Sequence, residues 1–410
     1  MGAIITVAVT MLLLFGLAGL VRGQHRVLRV FVVPYWAFSW IGQSFALPLA
    51  LVCGLLLITL AASGSGRPRA EAVCLVALLL YIFLHIRNHR MGKMLLHTVA
   101  ASAGTDGSTK DPAAMLSAPF LTGLLPLRVR RPGVERLTDI AYGEHGLRNL
   151  LDIYRPAVRP QRLMPILIQV HGGAWVIGNK EQQALPLIYH LASRGWMCVA
   201  INYRLAPQSR FPVMLTDVLR AVAWVKRHAG EFGGDASFVA LTGGSAGGHL
   251  SALAALVPNR PALQPGFESE DTVVNAVMPL YGRYDFLDAA GVLGPAAAQL
   301  TEFLAGKVMP GPFDAHPEAW NLASPVSQVH RNAPPFLVVH GTHDSLIAVE
   351  ECRYFVERLR RISSSEVVYA ELRGAQHAFD LLTTPLTLCL VEAAELFLWR
   401  HYASSTGGHR

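Results

Sequence analysis

FVALTGGSAGGH, residues 238–249, is the stretch from which the rest of the chain is best read. Its first four residues are a short apolar run of the length of a buried strand, and the residues after Gly247 take up a helical period. Between them stand Gly243-Gly244-Ser245-Ala246-Gly247, a G-x-S-x-G at a strand-to-helix junction. A turn that sharp exposes the Ser245 hydroxyl, and the flanking glycines let neighbouring backbones approach without a Cβ clash. An ordinary Gly/Ser turn capping a helix has the same letters, so the motif gains weight only from its surroundings.

Outward from this stretch, short β-rich runs alternate with longer helical ones. NLLDIY (149–154), PILIQV (165–170), MCVAINY (197–203), FVAL (238–241), VVNAVMPL (273–280), PFLVV (335–339) and EVVYAEL (366–372) read as strands, several apolar throughout as in a parallel sheet covered on both faces. Residues 211–228, 247–256, 349–361 and 386–399 read as helices. The alternation predicts a doubly wound α/β domain over 134–405, with its chemistry beyond the carboxyl ends of the strands.

Motifs fall at those ends. His171-Gly172-Gly173-Ala174-Trp175 follows the strand at 165–170. Acyl transfer passes through a tetrahedral oxyanion, and fixed backbone N–H groups hold that charge in a water-poor site. The expected donors are Gly172 and Gly173, with Ala246 next to the serine; Trp175 and Tyr281 are the candidate substrate contacts. A serine nucleophile needs a base, and the base an orienting carboxylate. With 16 histidines, chain order narrows the choice to Ser, then acid, then His, which assigns Asp344 in GTHDSLI (341–347) as orienter and His377 in GAQHAF (374–379) as base. His340 and His343 compete for the base and Asp380 for the acid; His249 reads as structural and Asp285 as loop packing. No metal or organic cofactor is implied.

Together HGGAW, GGSAGGH, GTHDSLI and GAQHAF resemble α/β-hydrolase carboxylesterases of the hormone-sensitive-lipase type, a group that includes arylacetamide-deacetylase-like and isoprenylcysteine-methylesterase-like proteins. LDIYRP (151–156), AINYRLAP (200–207) and SPV (324–326) are similar to that family too, and the resemblance covers about 149–399. It implies a mostly parallel sheet with helices on both faces and two-step ester hydrolysis through an acyl-enzyme on Ser245. An acyltransferase with the same triad and a hydrolase-like binding protein without catalysis are the alternatives. Two departures stand out. Ala174 occupies the place of a third glycine, and the family's N-terminal cap is missing, so a lid must come from 111–131 or from the insertion 283–325.

The first hundred residues replace that cap with apolar runs. Of the 410 residues, 52% are hydrophobic and 15% charged, which excludes disorder, collagen and coiled coil for the whole chain. The net charge of +7 splits by position: residues 1–133 hold 12 Lys and Arg against 3 Asp and Glu, and the remainder is −2. The basic excess flanks hydrophobic runs, as at a membrane, and no basic and aromatic interleaving points to nucleic acid. Three spans are expected, over 3–21, 40–62 and 72–87, with 101–133 a linker and partial cap. The run 30–62 exceeds one crossing and is either a span with an interfacial lead-in or a hairpin. With three spans, Arg22, Arg26, Arg29, Arg87, Arg90 and Lys93 share the cytoplasmic side with the catalytic domain; a hairpin reverses this. The expected partners are therefore a lipid bilayer and a lipophilic small-molecule ester. The five cysteines have neither zinc nor disulfide spacing and read as buried hydrophobes in a reducing compartment.

Overall fold

The computed structural model describes residues 2–21, 32–63, 68–102, 121–292 and 296–406. The chain divides into two compact units: Arg130–His340, Ile347–Ala370 and Ala393–Arg410 form one, and Met1–Val129, Gly341–Leu346 and Glu371–Glu392 the other.

The first unit is built on an eight-stranded sheet. Its strands are β1 (Val134–Ala141), β2 (Leu150–Pro156), β3 (Met164–Val170), β4 (Met197–Ile201), β5 (Gly234–Gly244), β6 (Ala276–Leu280), β7 (Phe336–Gly341) and β8 (Val367–Leu372), in the order β1-β2-β4-β3-β5-β6-β7-β8. β1 pairs with β2 and β2 with β4 antiparallel, while β4, β3, β5, β6 and β7 run parallel. Every residue of β3, β4 and β6 is buried, which is why their sequences are apolar runs without alternation. β1, by contrast, is an edge strand, half-buried and carrying Glu135, Arg136 and Asp139, and no apolar run announces it. The LDIYRP stretch serves this edge: buried Asp152 accepts from Arg136 Nη2 at 2.6 Å and Lys180 Nζ at 2.8 Å.

In the second unit α1 (Gly2–Ala18), α2 (Val32–Ser44), α3 (Ala46–Ala62) and α4 (Pro68–Ser102) pack together. Ala46, Ala50, Cys53, Ala77, Leu80, Tyr81 and Leu84 form a core between α3 and α4. Small residues bring the backbones close: a Cβ on Gly42 of α2 would stand 2.3 Å from the Phe15 carbonyl of α1. Polar side chains bind carbonyls across helices, Tyr81 Oη to Leu12 O at 2.6 Å and Arg87 Nη2 to Gly19 O at 2.8 Å.

The helices differ in outline from the expected spans. Within the run 30–62, the described residues 32–62 form two helices bent by 78° at Phe45, and α4 has 35 residues, well beyond 72–87. It continues past Arg87 because an apolar stripe does, through Leu84, Met91, Leu95 and Val99, all buried. Among the described residues α4 is the one helix long and apolar enough to cross a membrane, with a second crossing if α2 and α3 count as one bent span. The expected linker at 101–110 and the first half of the lid candidate 111–131 lie outside the described residues, apart from the last two residues of α4. All five cysteines are buried and free.

Candidate active site

Helices on the sheet give each turn its place: α5 (Leu185–Ser193), α6 (Val213–His228), α7 (Ala246–Leu256), α8 (Val349–Ile362) and α9 (Pro385–Ser405). β5 ends at Gly244 and α7 begins at Ala246, so Ser245 makes the whole reversal, at φ 59° and ψ −121°. A non-glycine residue there costs about 1–3 kcal/mol and persists only where its surroundings over-determine it. They do so here: Ser245 N donates to Leu280 O at 3.0 Å, and Ser245 O accepts from His249 N at 2.9 Å. Gly247 is forced by crowding, since a Cβ there would lie 2.0 Å from Val170 O.

The HGGAW turn faces the elbow from the end of β3: a Cβ on Gly172 would come within 3.2 Å of Ser245 Cβ. Of its expected donors, the Gly172 N–H is bound to Gln183 Oε1 at 2.7 Å. Gly173, Ala174 and Trp175 follow with φ of 120°, 50° and 62°, three successive residues with positive φ, and neither the Gly173 nor the Ala174 N–H has a hydrogen-bond acceptor among the described residues. Ala246 opens α7, where an N–H has no partner four residues back.

Trp175 and Tyr281, the expected substrate contacts, are both buried. Trp175 is only 5% exposed, stacks edge-on against His249 and Phe286, and donates from Nε1 to His249 Nδ1 at 3.1 Å. Tyr281 is buried with its phenol against Gly244. His249 closes the chain of contacts by donating from Nε2 to Ala323 O at 2.7 Å, so the insertion 283–325 packs back onto the HGGAW turn through Ala323 and Phe286. Asp285 accepts from Leu287 N and Ala290 N, a loop-closing role. Buried Glu351, for which the sequence carries no motif, accepts from Tyr284 N, Asp285 N and Arg283 Nη1 and anchors the start of the same insertion.

Two of these histidines are held neutral by burial. His171 lies under Tyr203, ring centroids 4.3 Å apart, and desolvation lowers it from about 6.5 to about 4; desolvation lowers His249 to about 3. Unfolding therefore takes up protons at any pH between those values and 6.5, so their contribution to stability is complete above pH 6.5 and is lost as pH falls below it. Between pH 7 and pH 5 the two together are expected to remove on the order of 3 kcal/mol. A thermal melt series of the detergent-solubilised chain over that range checks it; a level midpoint counts against neutral burial.

In the other unit, the loops after β7 and β8 bring Asp344 and His377 together. Asp344 Oδ2 accepts from His377 Nδ1 at 2.7 Å, both side chains almost fully buried, and Asp344 Oδ1 accepts from Leu346 N at 2.9 Å. That pairing puts the proton of a neutral imidazole on Nδ1 and leaves Nε2 as the basic atom. Gln376 ties the two loops to each other: its Oε1 accepts from Ser345 N at 2.8 Å and His377 N at 2.9 Å. Among the described residues no group of His, Cys, Asp and Glu has the arrangement of a metal site.

A mostly parallel eight-stranded sheet, with a strained serine turning from a central strand into a helix, defines an α/β-hydrolase fold. Known proteins agree. The BD-FAE family model matches residues 151–359. "Probable carboxylic ester hydrolase LipM" of Mycobacterium tuberculosis is 49% identical over 271 residues, 66% of this chain and 62% of that protein. Esterase LipQ of the same organism is 37% identical over 383 residues, 92% of this chain and 86% of that protein, a match long enough to take in most of α1–α4. The chain belongs to this family of carboxylic ester hydrolases. Its match spans less than two thirds of LipM, and that of LipC, at 64%, is similarly partial. Among solved structures, the Thermogutta terrifontis esterase Est2 with butyrate bound superposes with a TM-score of 0.55 at 24% identity, over 68% of this chain and 95% of that one, a likeness of fold.

Proposed function

We propose that the chain is a serine esterase that hydrolyses lipophilic carboxylic esters at a membrane surface, with Ser245 as nucleophile, His377 as base and Asp344 as orienter. The observation that carries the reading is the backbone of Ser245, a costly conformation whose use is to present a hydroxyl at the end of a parallel sheet. In the proposed reaction His377 Nε2 takes the Ser245 proton as Oγ attacks the ester carbonyl, and the tetrahedral oxyanion is held by N–H groups of the Gly173–Ala174 turn and Ala246. Collapse expels the alcohol, which receives the proton from His377. Water, deprotonated by the same imidazole, then releases the acid and restores Ser245.

Anchoring rests on α4 and on the bent pair α2–α3. α3 and α4 expose Leu51, Leu55, Ile58, Leu75, Leu79 and Phe83, large apolar side chains of the kind that lipid covers. With α2–α3 as one bent span, the Arg22, Arg26, Arg29, Arg87, Arg90 and Lys93 flanks favour a cytoplasmic side for themselves and for the catalytic domain. A neighbouring bilayer selects substrates that partition into it.

Fluorophosphonate labelling tests both parts. A membrane-permeant probe is expected to modify one residue of the full-length protein in intact cells, mapping to Ser245, while a charged impermeant probe labels it only after the cells are opened. Labelling elsewhere removes the nucleophile, and labelling of intact cells by the impermeant probe reverses the orientation.

A further inference from the structure

The loop that carries His377, between β8 and α9, has neither strand nor helix of its own. A base on such a segment is only as well placed as the groups that hold the loop backbone. Gln376 supplies part of that hold from within the loop. Neighbouring loops and α9 bind the backbone on either side, through His343 N to Ala375 O at 3.0 Å and Thr387 Oγ1 to Phe379 O at 3.2 Å, and residues 376–378 are also held from more than three hundred residues away, inside the same compact unit. Trp36 donates from Nε1 to His377 O at 3.1 Å, and Trp40 donates from Nε1 to Ala378 O at 2.9 Å. Gln43 Oε1 accepts from Gln376 N at 3.2 Å.

These three residues sit at i, i+4 and i+7 of α2 and so share one helical face. They bind the backbone of three consecutive loop residues. Ala378, at the C-terminal end of that grip, has φ 62°, a conformation alanine rarely adopts unaided. The helix is itself fixed from both sides: Tyr35 Oη donates to Ala18 O at 2.9 Å, Gln43 Nε2 to Gly19 O at 3.2 Å, and Asn88 Nδ2 of α4 to Gln43 O at 2.9 Å. An indole or amide in an apolar helix is costly to leave unpaired, so the pairing selects this arrangement over a slipped one.

We propose that α2 is a positioning element for the base, with Trp36, Trp40 and Gln43 acting through the 376–378 backbone to aim the His377 imidazole. The proposal rests on the reading of His377 as base. None of the three residues is asked to touch substrate. Proton transfer is steep in geometry, and a displacement of about 1 Å costs on the order of a hundredfold in rate.

The test is the Trp36→Phe/Trp40→Phe variant of the full-length protein in detergent, which keeps an aromatic ring at each position and removes both donors. Competent sites are counted by end-point fluorophosphonate titration, and kcat/KM per site is measured on a p-nitrophenyl ester and an alkyl ester of the same acid. The expected result is a fall of about ten- to a hundredfold per site, larger for the alkyl ester. An alkoxide must be protonated by His377 as it leaves, whereas p-nitrophenolate departs unaided. A role in packing alone lowers the number of competent sites and leaves kcat/KM per site, and the ratio between the two esters, at wild-type values; that outcome overturns the proposal. Should the double variant give no competent sites, each single Trp→Phe variant is read by the same two criteria. His377→Ala is run in parallel. If it stays active, the base assignment falls and takes this proposal with it; if it is inactive while the Trp variants match wild type per site, only the role of α2 fails.

Discussion

Ser245→Ala is expected to lower kcat on a p-nitrophenyl ester by about a million-fold, because without the nucleophile neither base nor amide donors have an acyl-enzyme to form. The loss belongs to chemistry and not to folding. The backbone bonds that hold the elbow, Ser245 N to Leu280 O and His249 N to Ser245 O, do not involve the hydroxyl. Alanine at φ 59° is strained as serine is, so the difference in stability is small. KM for a poorly turned-over substrate then reports a pocket left intact, and residual rate reports what the oxyanion donors and binding supply alone, about 10³–10⁴-fold over water. Purified variant and wild type, assayed at equal folded concentration, decide it. A variant retaining more than about one part in a hundred of wild-type kcat places the nucleophile elsewhere.

The parts of the molecule that the sequence discloses are those whose physics is local. Strands buried on both faces must be apolar throughout, so PILIQV and MCVAI stand out, and β3 and β4 begin and end within two residues of the predicted runs. The elbow is legible because a reversal in one residue needs glycines in fixed places around Ser245. Edge strand β1 is not, since it has solvent to satisfy one side and keeps its charges. The bend at Phe45 is hidden for a related reason: hydropathy averages over a window and has no term for direction. Within the site, what the sequence leaves unread is long-range. Nothing near Gly172 says that Gln183 will take its N–H, and nothing in HGGAW says that Trp175 turns inward to His249. For α2 there was a signal, a glutamine and two tryptophans at one helical spacing in an otherwise apolar stretch, where polar groups are expensive unless they have a partner. Their partner, the His377 loop, is 341 residues distant from Trp36, a separation no periodicity spans.

Asp344→Asn carries the second large effect, a fall in kcat of about 10⁴-fold with the fold and KM little altered. The argument turns on which oxygen is already committed. Asp344 Oδ1 accepts the Leu346 N–H at 2.9 Å, and Oδ2 faces His377 Nδ1 at 2.7 Å. In the asparagine variant the carbonyl oxygen must take the Leu346 position, because an NH₂ there would oppose another donor. The amide NH₂ is then left facing Nδ1, and it can be satisfied only if Nδ1 becomes the acceptor. The imidazole proton moves to Nε2, the atom that must receive the serine proton, and the base is present but in the wrong tautomer. Asp344→Ala removes the carboxylate without imposing that tautomer, so its kcat should exceed that of Asp344→Asn in proportion to the fraction of histidine with a bare Nε2. The comparison separates tautomer control from simple loss of charge: a kcat for Asp344→Ala equal to or below that of Asp344→Asn argues that charge stabilisation of the imidazolium dominates. Activity within tenfold of wild type in both variants removes Asp344 from the triad and points to Asp380, the carboxylate three residues beyond His377, as the group that orients the base.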